Sequence, residues 1–467
     1  MPPPSKLGEK IAHTLIRNRK LALSAFILIG LPTFFTAYTE FCRIRIIKQR
    51  KRKLQTQTKD NQGSKSESEF VDDLLALDDV EAVKNRYGSM VVAGRYSNPF
   101  TEWKEPCGMW DFFFWQLILR PLQGKFGWNG GINDDDYETH QALQASEPNW
   151  IKLFGSGYLR KLRKEIKDLS SSESSFEHLS DSEEDGIVRV DKDLTVTWIG
   201  QSTAYVQMES LCILTDPIFE TKTVEAPLAP VRLVPPPCTI SSFASLQIIL
   251  ISHNHLDHLH PNSIIQLKET SPGARYFVPL GVSAFLINLG ISNELIVEMD
   301  WWQEWEGTVS VDALNGQEKR DIKVVCIPAM HWSGRNAFDS NQTLWCSFLL
   351  QGPTQSLFHC GDTGYTPHYK AVPKLYAPPT LSLLPIGSYL PRWHLQSVHL
   401  SPPEAIQLHK DLQSKYSVAV HWSTWVSLSD EDWHKPEHDL INAREEQSIS
   451  EDAFKVIRIG ETNVFAA

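Results

Sequence analysis

The spacing of apolar and polar residues changes character near residue 194. From there the chain runs through short stretches rich in β-branched and aromatic residues: "LTVTWIGQSTAYVQM", "SLCILTDP", "LQIILIS", "ARYFVP", "IKVVCIPAM", "LWCSFLLQG" and "QSLFHCGD". Each is closed by Gly, Pro or Asp or by a turn, which predicts strands. Segments with helical spacing lie between some of them: "PNSIIQLKET", "GVSAFLINLG" and "SPPEAIQLHKDLQSKY". Strands interleaved with helices predict an α/β layered domain with mixed sheets.

The chain before residue 91 reads differently. Residues 21–38, "LALSAFILIGLPTFFTAY", carry no charge, and roughly 18 to 20 apolar residues are what a helix needs to span a bilayer core. Basic residues flank both sides, "RNRK" before and "RIRIIKQRKRK" after. This predicts a retained transmembrane helix inside a basic N-terminal region, 1–50. Residues 51–90 read as a polar tether, beginning "KRKLQTQTKDNQGSKSESE", and 91–467 as one large domain. Within it, 169–186 ("LSSSESSFEHLSDSEEDG") read as a solvated acidic insertion. The aromatic run 110–122 reads as a core helix, with a segment at a lipid interface as the alternative.

Charge and cysteine content narrow the partners. A formal net charge of -11 over 467 residues argues against a nucleic-acid partner, because phosphate binding needs clustered Lys and Arg. The seven cysteines are scattered with no CxxC pair, the pattern of free thiols in a reducing compartment.

The chemistry concentrates in "SHNHLDHLH". His253, His255, Asp257 and His258 follow directly on an apolar strand. Three other strand ends deliver similar groups: His331 after "IKVVCIPAM", Asp362 after "QSLFHC" and His421 after "SVAV". Strands of such sheets finish along a common edge, so these residues can converge. Five imidazoles and two carboxylates suit zinc or a similar divalent ion rather than an iron–sulfur or copper–thiolate centre. Four such neighbours strain a single ion, so His253 and His255 are expected to face one ion and Asp257 and His258 a second. Asp362 can bridge the pair.

"SHNHLDHL", "AMHW", "GDTGY" and "HWST" resemble the metallo-β-lactamase superfamily, which implies an αββα sandwich around a dinuclear zinc site. With "GRYSNPFTEW", "ILTDPIF", "PPPCTI", "LPIGSYLPRW" and "HLSPPEA", the resemblance narrows to the N-acylphosphatidylethanolamine-hydrolysing phospholipase D family, over about residue 94 to the C-terminus. It implies that His253, His255 and His331 hold one zinc, that Asp257, His258 and His421 hold the other, and that Asp362 bridges. Asp257, Asp362 and His399 would be catalytic, with His399 near the substrate phosphate unless it caps the following helix. Asp216 would orient a ligand imidazole unless it is only a turn residue. Leu256 stands where the animal enzymes carry an aromatic residue, which places it at the substrate entrance. His260, His359, His368 and His394 are read as non-ligands.

The implied reaction is hydrolysis of a membrane phospholipid to N-acylethanolamine and phosphatidic acid by zinc-activated water, at a lipid bilayer. The basic N-terminus and resemblance to fungal members suggest the mitochondrial inner membrane, and assembly as a homodimer is left open. The alternatives are another hydrolase of the superfamily, a lactonase or a phosphodiesterase, and a non-catalytic zinc-binding membrane scaffold.

Overall fold

Short β-branched runs satisfy their backbone groups only by pairing, and here they build two sheets. In the computed structural model, residues 31–57, 80–104, 145–149, 153, 194–225, 229–243, 246–313, 316–336, 338–425 and 429–466 are described. The expected insertion 169–186, the aromatic run 110–122, residues 1–30 and residues 58–79 lie outside the described residues.

A small hairpin, β1 (Val91–Val92) and β2 (Arg95–Tyr96), precedes the sheets. The first sheet holds β3 (Leu194–Gly200), β4 (Thr203–Met208), β5 (Leu211–Thr215), β6 (Ile248–Leu250), β7 (Arg275–Pro279) and β8 (Ile296–Met299). The second holds β9 (Glu304–Ala313), β10 (Gly316–Ile327), β11 (Ser347–Gln351), β12 (Ser356–His359), β13 (Leu381–Pro385), β14 (Tyr416–Val420) and β15 (Phe454–Lys455). The last strand, β16 (Thr462–Phe465), returns to the first sheet and pairs antiparallel with β3. In both sheets hairpin-connected strands give way to parallel ones: β5 to β8 in the first and β12 to β15 in the second.

The two-residue period of a strand sorts its side chains between layers. Ile213, Ile248, Leu250 and Phe277 join Val324, Phe348 and Phe358 in the core between the sheets. Their neighbours Leu214, Ile249, Tyr276 and Val278 face outward onto Ile264, Leu267 and Leu286, from the helices Pro261–Thr270 and Ser283–Asn288. Helices Pro402–Leu412 and Lys435–Glu446 pack against each other, and the first of them also packs on β13. The architecture is the expected αββα sandwich. Because both faces of the central strands are covered, they read as continuous apolar runs. The strands β8, β9, β13, β15 and β16 and the helix Lys435–Glu446 went unread in the sequence.

The N-terminal part differs from its sequence expectation. Among the described residues no helix is long and apolar enough to cross a membrane. The expected span 21–38 is described only from Leu31, where it continues into one helix, Leu31–Gln57, that runs through the expected boundary at residue 50. Residues Val80–Tyr87 of the expected tether are helical too. The long helix docks on the body along a stripe of Arg43, Ile47, Arg50 and Leu54, spaced four, three and four residues apart. The Arg43 guanidinium donates to the carbonyls of Asn98 (3.1 Å) and Phe100 (2.9 Å), and Arg50 donates to those of Gly88 (2.6 Å) and Ser89 (2.8 Å). Arginines that look solvent-directed in sequence lay their apolar stems on the body and place their heads on its carbonyls.

Replacing Arg43 by Ala leaves two buried carbonyls without their donor, a cost of about 1–3 kcal/mol. Limited proteolysis should then cut within 31–57 while the body stays intact. Unchanged protection of that helix would contradict its docking.

Candidate metal centre

The parallel strands bring the expected groups to one edge. Asp216 follows β5, the 253–258 cluster follows β6, Asp362 follows β12 and His421 follows β14. After β6 the backbone bonds of His258 and Leu259 to the His255 carbonyl close a tight turn, which fans out the cluster's side chains. The "GD" of "CGDTG" has a steric reason. A Cβ on Gly361 (φ +59°) would lie 2.5 Å from Cβ of Ser252, so only glycine lets Asp362 come this close to the β6 end. Gln201, Asp216 and His421 all have left-handed backbones (φ 50°, 35° and 59°). For non-glycine residues such strain persists only where surrounding structure enforces it.

Two groups of donors result. In the first, His255 Nδ1 lies 2.7 Å from His253 Nε2 and 3.2 Å from His331 Nε2, with Asp362 Oδ2 at 3.8 and 3.6 Å from the same two Nε2 atoms. In the second, Asp257 Oδ2, His258 Nε2 and His421 Nε2 form a triangle with sides of 3.5, 3.7 and 3.2 Å. Asp362 spans both: its Oδ2 is 3.1 Å from His258 Nε2 and its Oδ1 3.1 Å from His421 Nε2. Donors 3 to 4 Å apart are what a cation with bonds of about 2.0–2.2 Å requires.

The tautomers fit the same picture. The Ser252 hydroxyl donates to Asp216 Oδ2 (2.7 Å), so its lone pair accepts from His253 Nδ1 (2.9 Å). His331 Nδ1 donates to the Val398 carbonyl (2.9 Å) and His258 Nδ1 to Asp216 Oδ2 (2.9 Å). Each ring's proton is thus held on Nδ1, and the Nε2 lone pairs point into the cluster. Lone pairs facing one another in a buried site repel unless a cation lies between them. Burial and neighbouring imidazoles push His253 well below the usual range. Burial, only partly offset by Asp362, lowers His331 to about 3, and burial against the pull of Asp257 and Asp362 leaves His255 at about 4. His258 and His421 move the other way. Burial disfavours their charge, yet the carboxylates, Asp362 foremost, raise His258 well above its ordinary value and His421 to about 9. Among the described residues, the buried His255 Nε2 has no hydrogen-bond partner. Side chains of this chemistry, in this arrangement, fit a pair of divalent cations.

All seven expected ligands therefore stand within the two groups, and His399 stands beside them. His399 Nδ1 lies 3.9 Å from Asp362 Oδ2, and its ring is 5.3 Å from those of both His331 and His421. It does not cap the following helix, because Ser401 and Glu404 form that capping box. Burial lowers His399 to about 3. Leu256 is half-buried in the turn between His255 and Asp257. Asp216 is more than a turn residue: besides His258, it accepts from the Ser252 backbone N–H (2.7 Å) and from His359 Nε2 (2.9 Å). Burial opposes its charge, but His359 and His258 hold its carboxyl down at about 2. His260 caps the helix Pro261–Thr270 and His368 Nε2 contacts the Pro328 carbonyl. Neither these two nor His359 or His394 enters a donor group.

The sequence reading passed over Gln201 and Ser252. The Gln201 side-chain amide donates to Asp257 Oδ2 (2.6 Å) and lies 2.7 Å from His421 Nε2, while the Gln201 backbone carbonyl accepts from the His421 backbone N–H (2.8 Å). The one sequence signal was a strand–turn–strand "WIGQST". Beside this second group opens a cleft lined by Gln201, Asp257 and His421 together with Trp422, Trp425 and Trp433.

Comparison with known proteins agrees with this geometry. A family model described as a beta-lactamase superfamily domain matches residues 212–422. The chain is 31% identical over 362 residues to the "N-acyl-phosphatidylethanolamine-hydrolyzing phospholipase D, mitochondrial" of Saccharomyces cerevisiae, covering 76% of this chain and 72% of that protein. It is 30% identical over 276 residues to the "N-acyl-phosphatidylethanolamine-hydrolyzing phospholipase D 1" of Caenorhabditis elegans, covering 57% of this chain and 75% of that one. An uncharacterized protein of Mycobacterium tuberculosis is 35% identical over 261 residues, covering 55% and 66% of the two chains. With the metallo-β-lactamase fold, the convergent donor groups and relatives matched over most of their length, the chain belongs to the N-acyl-phosphatidylethanolamine-hydrolysing phospholipase D family and is a metal-dependent phosphodiester hydrolase.

Proposed function

We propose that the chain hydrolyses N-acylphosphatidylethanolamine to N-acylethanolamine and phosphatidic acid at a membrane surface, with two zinc ions as cofactors. The observation that carries this reading is Asp362, whose Oδ2 reaches both donor groups and whose Oδ1 reaches His421, beside a cleft that Asp257 and His421 line. His253, His255 and His331 would hold one ion, Asp257, His258 and His421 the other, and Asp362 both. Bound there, the ions supply Lewis acidity that makes water a nucleophile near neutral pH and neutralise the charge of a phosphodiester.

The protein's own groups supply the rest. Asp216 and the Val398 carbonyl keep His258 and His331 oriented. His399, beside Asp362 yet partly open to solvent, is placed to donate a hydrogen bond to a phosphoryl oxygen. Water's oxygen forms the new bond to phosphorus, and the bond to the N-acylethanolamine oxygen breaks. That oxygen then takes up a proton and leaves. Leu256, in the turn of the cluster, would line the entrance.

A lipid substrate has to be met at a surface, and exposed aromatic side chains support that. Trp332 packs on His255 with ring centroids 4.3 Å apart. Trp393 is 53% and Phe338 83% exposed. On the long helix, Phe34, Phe35, Tyr38 and Phe41 are exposed as well. Aromatic rings of this kind favour the interface between water and lipid. Residues 21–38 would hold the chain there as a single-pass anchor, on the strength of their uncharged sequence. The name of the yeast relative and the basic N-terminus support a mitochondrial location, where the inner membrane would be the surface met. A tagged chain imaged in cells should coincide with a mitochondrial marker, and accumulation elsewhere would overturn that placement.

The activity is tested by incubating the purified protein with N-acylphosphatidylethanolamine, a lactone and bis-p-nitrophenyl phosphate, with products identified by mass spectrometry. N-acylethanolamine and phosphatidic acid should dominate. Asp362→Asn should lower that turnover by more than the roughly 100-fold that loss of a ligand's supporting hydrogen bond costs, with the fold retained. Preferred turnover of the lactone, or a nearly normal Asp362→Asn variant, would sink the reading.

A further inference from the structure

The donor groups are drawn from both sheets. The β6 end of the first sheet carries His253, His255, Asp257 and His258, while His331, Asp362 and His421 come from the second. Two ions can be shared only if those edges stay in register, since such constellations need placement within about 0.5 Å. A buried polar tie crosses between the sheets at this point. The ring of His359, the last residue of β12 in the second sheet, places Nε2 2.9 Å from Oδ2 of Asp216 in the first.

That oxygen is crowded with donors. Asp216 Oδ2 also accepts from Ser252 Oγ (2.7 Å) and His258 Nδ1 (2.9 Å), and Oδ1 accepts from the Ser252 N–H (2.7 Å). Through these contacts one carboxylate reaches both donor groups, His258 directly and His253 by way of Ser252. Asp216 sits at φ 35°, a backbone that L residues hold only under constraint. His359 is fully buried, and among the described residues its Nδ1 has no hydrogen-bond partner. Among those residues its ring's one polar contact is with Asp216, and no donor group includes it. A buried imidazole spent on one carboxylate has a positioning task rather than a packing one, because an apolar ring would fill that space without a desolvated nitrogen.

We propose that His359 is a positioning residue which, acting through Asp216, holds ligands of both ion sites across the two sheets. The proposal rests on the two-ion reading above. Its step is purely geometric: the His359 N–H fixes the Asp216 carboxylate, which in turn fixes the tautomer and direction of His258 and, through Ser252, of His253.

The test is a zinc titration of the stripped full-length protein against a chromophoric chelator, with circular dichroism to verify folding. The native chain should take up two ions. His359→Phe keeps the ring and removes the donor, so both ions should bind about 10- to 100-fold more weakly. The visible spectrum of the cobalt-loaded protein should shift with the altered ligand directions. His359→Gln, whose amide nitrogen can reach where Nε2 sits, should recover most of the affinity and the spectrum, whereas His359→Asn, polar but shorter, should not. The Asn variant also serves if the Phe variant does not fold. Native-like loading of both ions in the Phe or Asn variant, or a Gln variant no better than Asn, would overturn the proposal. A native chain that takes up fewer than two ions would instead overturn the two-ion reading, and the role of His359 with it.

Discussion

The site turns on a local crowding of imidazole lone pairs that a cation lying between them relieves. Around His255 Nδ1, at 2.7 and 3.2 Å, stand the Nε2 atoms of His253 and His331, whose Nδ1 protons are already committed, so both turn lone pairs toward it inside a buried cluster. Protonation could relieve such a contact in water. Here burial works against it, lowering His253, His255 and His331. The neighbouring carboxylates push His258 and His421 the other way, so the cluster holds conflicting demands that divalent ions would meet together.

The fold serves that meeting point. Strands in two stacked sheets end along one edge: the β6 end contributes four of the seven groups, and the ends of β10, β12 and β14 one each. The strain that this convergence stores lies at Gln201, Asp216 and His421, all left-handed and all touching the donors or their partners. Strain kept at a functional site requires over-determined surroundings. The dense hydrogen bonding around Asp216 and the four-residue ties of Gln201 to Trp198, Thr424, Asp257 and His421 supply it.

The ligands were legible in the sequence because their motifs follow apolar strands closely, and strand ends converge whatever the loop lengths between them. Their supports were not. His359 looks like any strand residue in "LFHC", and Ser252 like any residue before a histidine. Their partners are set by the stacking of two sheets, which no local pattern records. Gln201 was hidden for the same reason: its partners lie 56 and 220 residues away. The fold class followed from strand and helix texture, yet the two-residue β15 was too short to stand out. The helix Leu31–Gln57 was missed on its basic side because a stripe of Arg43, Ile47, Arg50 and Leu54 mixes charge with packing. Side-chain charge alone suggests solvent there, and only the carbonyls of Asn98, Phe100, Gly88 and Ser89 reveal the docking face.

The central claim is that seven side chains share two cations through one carboxylate. Anomalous diffraction from crystals of the zinc-loaded protein, collected on both sides of the metal absorption edge, tests it most directly. Two peaks are expected, one among His253, His255 and His331 and one among Asp257, His258 and His421, with Asp362 in contact with both. A single peak, or two peaks of which one lies away from Asp362, would contradict the account.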